Sequence, residues 1–255
     1  PRLVHCRVSG FGDVGPLAGL PAYDTAVQAL CGLMSVNGDA HSGPLRVGVA
    51  VVDMSTGLNA MIGVLLALQA RQLTGRGQFV ETTLFANAVA MLHPHASNCF
   101  ATGKNPVRTG NAHPNIYPYD SFETQTGPIY LAIGNDKQFQ GFCAHLGQPQ
   151  WASEPRFASN PQRSVNRAEL RALLAPVLAQ HDGHALTDAL VRQGVPCAPV
   201  CEVAQVLQSE QARAMGLMVN MANGYQGVAS PIALADTPAT YRATPPVLLA
   251  AEPAY

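Results

Sequence analysis

The chain has 255 residues, 47% of them hydrophobic, enough to bury a sizeable core in one large or two modest domains. Its formal net charge of −1 recommends neither nucleic acid nor an anionic membrane as a partner. Only 12% of residues are charged, about half the usual share, so much of the surface is expected to lie against a second subunit or further chain.

Leu3 to Val8 reads as a strand, so the chain is expected to begin inside a domain. A turn-rich loop, Ser9 to Pro16, follows. Asp24 or Thr25 can cap a helix running to about Val36, with Ala26, Leu30, Leu33 and Met34 on its apolar face. Leu45 to Val52 is rich in Val without alternation, which predicts a strand covered on both faces, as in parallel α/β sheets. From about Thr56 to Leu73 a helix that is apolar nearly all round is expected to be buried. Its apolar stretch Leu58 to Leu68 is interrupted by Asn59 and Gly63 and is too short to span a bilayer. Gly75-Arg76-Gly77 stops the helix, Gln78 to Thr83 reads as a strand, and Leu84 to about Cys99 returns to helix.

Gly103, Pro106, Gly110, Pro114 and Pro118 break any periodicity over residues 101 to 120, the mark of a linker or binding loop. Beyond it, Ile129 to Ile133 reads as a strand and Asp136 to Leu146 as a helix, while Trp151 to Pro161 looks irregular. Helices fit Arg167 to Gln180, kinked or broken near Pro176, and Ala185 to Gln193. Val195 to Val200 reads as a short strand and Glu202 to Met215 as a helical pair. This order predicts part of a large domain over 1–100, a linker over 101–111, a smaller α/β domain over 112–215 and a returning extended tail over 216–255.

Asp53 closes the Val-rich run and opens a long helix. Ligands of parallel sheets bind beyond the carboxyl ends of strands, near helix N-termini that favour negative charge. The same position equally suits a simple helix cap from Asp53, Ser55 or Thr56. His93, His95 and Cys99 have the residue types of a metal site but lack a second ligand pair, and no metal is expected. Gly75-Arg76-Gly77-Gln78 follows a helix instead of opening one, so it reads as a turn, not a phosphate loop. His113 lies in the polar loop Gly110-Asn111-Ala112-His113-Pro114-Asn115, whose glycine and amides permit close approach to a ligand. The six cysteines lack both the density of a disulfide-stapled domain and any nucleophile motif, so reduced thiols in a cytoplasm are expected.

Taken together, Val8-Ser9-Gly10-Phe11-Gly12, Ala22-Tyr23-Asp24, Gly32 to Gly38 and Val52-Asp53-Met54-Ser55-Thr56-Gly57 resemble the family III CoA-transferases (CaiB/BaiF). Thr74 to Gln78 and Gly194-Val195-Pro196-Cys197-Ala198-Pro199-Val200 continue the resemblance, which covers most of residues 3 to 220. It implies the latter part of a Rossmann-like parallel-sheet CoA-binding domain plus a smaller α/β domain, in subunits that interlock as a homodimer. It implies no permanently bound cofactor, with coenzyme A and its acyl thioesters as substrates and a carboxylic acid as acceptor. Asp53 becomes the covalent nucleophile, and a carboxylic acid that ordinarily titrates near 3.9 is ionised at neutral pH. Tyr23 takes a pocket-lining position, and Gly110, Asn111 and His113 match a flap region whose N–H groups or amide can stabilise an oxyanion.

The α-methylacyl-CoA racemases share this fold and are the nearest alternative. Their chemistry needs a His where this chain has Tyr23, and a phenol that ordinarily titrates near 10 is a poor proton carrier at neutral pH. Members of the family also begin with a nucleotide-binding half that makes most contacts to CoA, and they end in a closing helix where this chain has Val247 to Tyr255. A truncated, inactive member able only to associate with a complete subunit is the third expectation.

Overall fold

The computed structural model describes residues 1–246. The chain divides into two compact units, Pro1–Ala198 and Pro199–Tyr255. The first unit opens with β1 (His5–Ser9), α1 (Asp24–Leu30), α2 (Leu33–Val36), α3 (Val51–Thr74), β2 (Phe79–Thr83), α4 (Leu84–Ala90) and α5 (His95–Thr102). Strands β1 and β2 pair in parallel from His5 opposite Phe79 to Ser9 opposite Thr83, and the crossover between them carries α3. Two glycines permit the close packing. A Cβ at Gly63 would come within 2.7 Å of Val80 Cγ1, and one at Gly77 would come within 1.8 Å of the Leu3 carbonyl oxygen.

Several expectations for this region are corrected. Leu45 to Ala50 form no strand, and Val51 and Val52 already belong to α3. No strand lies beside this run to pair with it; the Leu45 N–H donates to the Asn37 carbonyl at 3.1 Å and the Val47 N–H to Gln28 Oε1 at 2.9 Å. The helix expected from Asp24 to Val36 is split at Gly32, whose φ of 95° suits only glycine. Its buried apolar positions are Val27 and Cys31, while Leu30 is exposed. The helix expected from Leu84 to Cys99 is likewise divided, with Pro94 at the cap of α5.

Helix α3 meets β1, β2, α1 and α4 along one side only. Leu58, Met61, Ile62, Leu65 and Leu66 are exposed, which corrects the expectation of a buried helix. Its 24 residues, with an 18-residue window of mean hydropathy 1.7, give it the length and composition of a membrane span, where the count over Leu58 to Leu68 fell short. Two of its polar side chains reach other elements: the Asn59 amide donates to Asn87, and Arg71 Nη1 donates to the Arg2 carbonyl at 3.0 Å. The local core is thin, built on Val27, Cys31, Val52, Leu84 and Ala88.

The unit continues with β3 (Tyr119–Thr124), β4 (Gly127–Ala132), α6 (Asp136–His145), α7 (Gln150–Ser153), α8 (Asn160–Val165), α9 (Arg167–Leu178), α10 (Gly183–Arg192) and β5 (Cys197–Pro199). The sheet order is β3-β4-β5, with β3 and β4 antiparallel. Sequence reading missed β3 and gave its first residues to a loop; α7 and α8 fall in the stretch read as irregular. Pro176 sits inside α9 without breaking it. A large core gathers Phe122, Ile129, Phe139, Phe142, Leu170 and Leu174. Arg163 lies fully buried within it, donating to the carbonyls of Tyr117 and Phe157, each at 2.9 Å, and to Asp136 Oδ1 at 2.7 Å.

The second unit holds α11 (Val203–Leu207), α12 (Glu210–Ala214), β6 (Met218–Asn220) and β7 (Gln226–Val228). The two helices fit the expected pair, and the tail contains an antiparallel hairpin of β6 and β7. From residue 229 to 246 no regular element forms. The expected replacement of a closing helix by residues 247–255 lies outside the described residues.

Candidate active site

Asp53 stands in the first turn of α3 with its side chain exposed. Ala50, the residue before the helix, provides no side-chain cap. Asp24, buried on α1, supplies one instead: its Oδ2 accepts the N–H of Val52 at 2.8 Å and that of Asp53 at 3.1 Å. Its Oδ1 accepts from Gln28 Nε2 at 2.6 Å, one turn along the same helix face. The Val51 and Met54 N–H groups donate to the carbonyls of Val49 and Ala50. Thus the donors of the first turn are all used, and the helix end favours an anion through its dipole, not through free N–H groups.

This arrangement removes the capping role from Asp53, Ser55 and Thr56. Both hydroxyls donate to the Val52 carbonyl, Ser55 Oγ at 2.9 Å and Thr56 Oγ1 at 2.7 Å. The carboxylate of Asp53 has no hydrogen-bond partner among the described residues. Asp24, expected only at the start of its own helix, is the residue sequence reading undervalued. Its spacing of four from Gln28 was the available signal, since that spacing puts both amide and carboxylate on one face.

The loop from residue 37 to 47 ties this helix end to the second group of expected site residues. Val47 donates to Gln28, which donates to Asp24, which holds the N–H of Asp53. On the other side the Gly38 carbonyl accepts the Gly110 N–H at 2.8 Å, and Gly110 has a φ of 62°. Val47 and Gly110 both border a cavity of about 240 Å³, with Asn37, His93, His95 and Thr109. Asp53 and Tyr23 lie outside that lining.

Tyr23 precedes α1 and is 84% exposed. The Asn111 amide donates to Ser121 Oγ at 2.9 Å, and its carbonyl accepts from the Tyr130 hydroxyl at 2.7 Å. The His113 N–H donates to the Tyr119 carbonyl at 2.8 Å, and its Nδ1 accepts the Asn115 N–H at 3.1 Å. Burial, then the nearby charges of His95, Arg167 and His93, hold the His113 imidazole below its ordinary value. The structure therefore joins Gly110 with His93 and His95 around one cavity and leaves Tyr23, Asn111 and His113 outside its lining.

Among the described residues no group of three or more His, Cys, Asp and Glu side chains is placed to hold a metal ion. All six cysteines are free. Burial pushes the Cys143 thiol up to about 12 and the Cys197 thiol up to about 11, the opposite of an activated nucleophile.

The model of CoA-transferase family III matches residues 1–250. The acetyl-CoA:oxalate CoA-transferase of Acetobacter aceti is 38% identical over 221 residues, covering 86% of this chain and 57% of the relative. The succinate–glutarate CoA-transferase of Agrobacterium fabrum is 33% identical over 252 residues, covering 97% of this chain and 63% of the relative. The crystal structure of a CAIB/BAIF family protein from Brucella suis superposes with a TM-score of 0.77 at 38% identity, over 93% of this chain and 63% of that one. The chain thus spans between 57% and 63% of the length of these relatives. With the parallel pair, its crossover helix and the smaller α/β sheet in place, the chain belongs to the family III CoA-transferases.

Proposed function

We propose that the protein moves CoA between an acyl-CoA and a carboxylic acid, with Asp53 as the covalent nucleophile. The observation that carries this reading is the unengaged carboxylate of Asp53 on a helix end that Asp24 already caps. Oxalate, succinate and glutarate in the names of the relatives favour a short dicarboxylic acid as the acid partner.

A carboxylate oxygen of Asp53 attacks the thioester carbonyl; the C–S bond breaks, leaving an acyl-aspartyl anhydride and CoA thiolate. The thiolate then attacks the aspartyl carbonyl, releasing the donor acid and forming an aspartyl-CoA thioester. The acceptor carboxylate attacks that thioester carbonyl, expelling the thiolate again, which finally attacks the acceptor's acyl carbonyl and frees Asp53. The scheme needs water excluded from both intermediates. Residues 1–100 would supply the part of the CoA-binding domain that carries the nucleophile. The bare apolar face of α3 favours a covered state such as a homodimer, and six free thiols favour a reducing cytoplasm.

The test is product analysis. Folded protein is incubated with acetyl-CoA or succinyl-CoA and each of oxalate, succinate and glutarate, and thioesters are separated by chromatography. A new acyl-CoA matching the added acid is expected. Hydrolysis alone overturns the reading, and so does exchange of an α-proton with solvent deuterium without transfer, which would favour the racemase.

A further inference from the structure

Nδ1 of His95 is buried and has no hydrogen-bond partner among the described residues. Leaving a buried polar nitrogen unpaired costs about 1–3 kcal/mol, so such an atom marks a place where a ligand can repay the loss. His95 opens α5, and with Val36 and Leu92 it borders two cavities at once. One is the cavity of about 240 Å³ that also meets Asn37, Val47 and Gly110. The other, about 280 Å³, is walled mainly by apolar side chains, among them Val89, Ala96 and Phe100. His95 therefore stands where a cavity of mixed polar and apolar lining meets a mainly apolar one.

The charges around it favour an anion. Among the described residues no Asp or Glu borders either cavity. His93 shares the lining, and His113 and Arg167 are close enough for the charges of His95, His93 and Arg167 to act on the His113 imidazole. Asp39 lies beside Gly110, and its Oδ1 is taken by the N–H groups of His41 and Ser42 at 2.7 and 2.8 Å. The cavity of about 240 Å³ also shares Val47 with the hydrogen-bond chain through Gln28 and Asp24 that ends at Asp53.

Resting on the CoA-transferase reading, we propose that His95 is a specificity-determining residue that holds, through a proton on Nδ1, one carboxylate of a short dicarboxylic acid. The hydrocarbon of the acid lies toward the apolar cavity. Burial holds the His95 imidazole below its ordinary value, whereas a bound carboxylate stabilises the protonated ring and moves it back up.

Histidine side chains of the whole chain, labelled with nitrogen-15, are followed by NMR during titration with oxalate, succinate and glutarate, and with butyrate as a monocarboxylate; His95→Gln assigns the signal. At least one dicarboxylate is expected to shift the His95 resonance and raise its titration midpoint by about one pH unit, with a smaller response to butyrate. His95→Phe, with an unchanged circular dichroism spectrum, is expected to bind that acid about tenfold more weakly. A His95 signal that ignores all three acids, an equal response to butyrate, or full affinity in His95→Phe overturns the proposal. A silent His95 alongside an acylated Asp53 sinks this inference and leaves the transferase reading standing; a responsive His95 without acylation sinks the transferase reading and leaves only a carboxylate-binding site at His95.

Discussion

Asp24 Oδ2 accepts the backbone N–H of Asp53 at 3.1 Å across 29 positions of sequence, so one carboxylate caps the helix that presents the other. On the proposed reading the arrangement separates support from chemistry. Asp24 is buried and fully engaged, whereas Asp53 is exposed and its carboxylate has no hydrogen-bond partner among the described residues.

Replacing Asp24 should therefore cost stability. Asp24→Ala leaves the N–H groups of Val52 and Asp53 and the Gln28 amide without their acceptor. Equilibrium unfolding in urea should show a loss of about 2–3 kcal/mol, with Asp24→Asn losing less because one oxygen remains. An unchanged midpoint for Asp24→Ala would contradict the capping role.

The core around β3 and β4 has its own test. Arg163 is fully buried while the Asp136 side chain is 50% exposed. Asp136→Ala strands a buried cation, and Arg163→Met leaves a carboxylate that water can reach. Each single change should cost about 3 kcal/mol in urea unfolding, but the double variant should be no less stable than Arg163→Met alone. Additive losses would show that the two side chains act independently.

Acid should weaken the fold first through two imidazoles. Burial holds both His95 and His113 below the ordinary value of 6.5. Between the lowered folded value and 6.5 the unfolded chain binds more protons, so stability is complete above 6.5 and falls as pH drops below it. The unfolding free energy measured from pH 7.5 downward should decline in that window, and the double variant His95→Asn, His113→Asn should flatten the slope. An identical slope in that variant would contradict the assignment.

What the sequence disclosed followed from local pattern. Gly75 ends α3, Phe79 to Thr83 form a strand, and α6, α9 and α10 form over the stretches expected to be helical. Leu45 to Val52 misled because a run of Val and Leu has the composition of a buried strand, and only the absence of a neighbouring strand decides otherwise. The exposure of Leu58, Leu65 and Leu66 was equally hidden, since an all-round apolar helix reports that it needs cover without saying what provides it. Asp53 stood out through ordered motifs, but the means of holding it lay in Asp24, which no spacing along the chain connects to α3.

The most direct measurement is on Asp53 itself. The chain is incubated with acetyl-CoA or succinyl-CoA, quenched with hydroxylamine or borohydride, digested, and examined by peptide mass spectrometry. The adduct should fall on Asp53 and disappear in Asp53→Asn, whose stability should stay within about 0.5 kcal/mol of the parent because the side chain is exposed. A folded chain that forms no adduct at Asp53 with either thioester, or one labelled equally well after Asp53→Asn, would contradict the account.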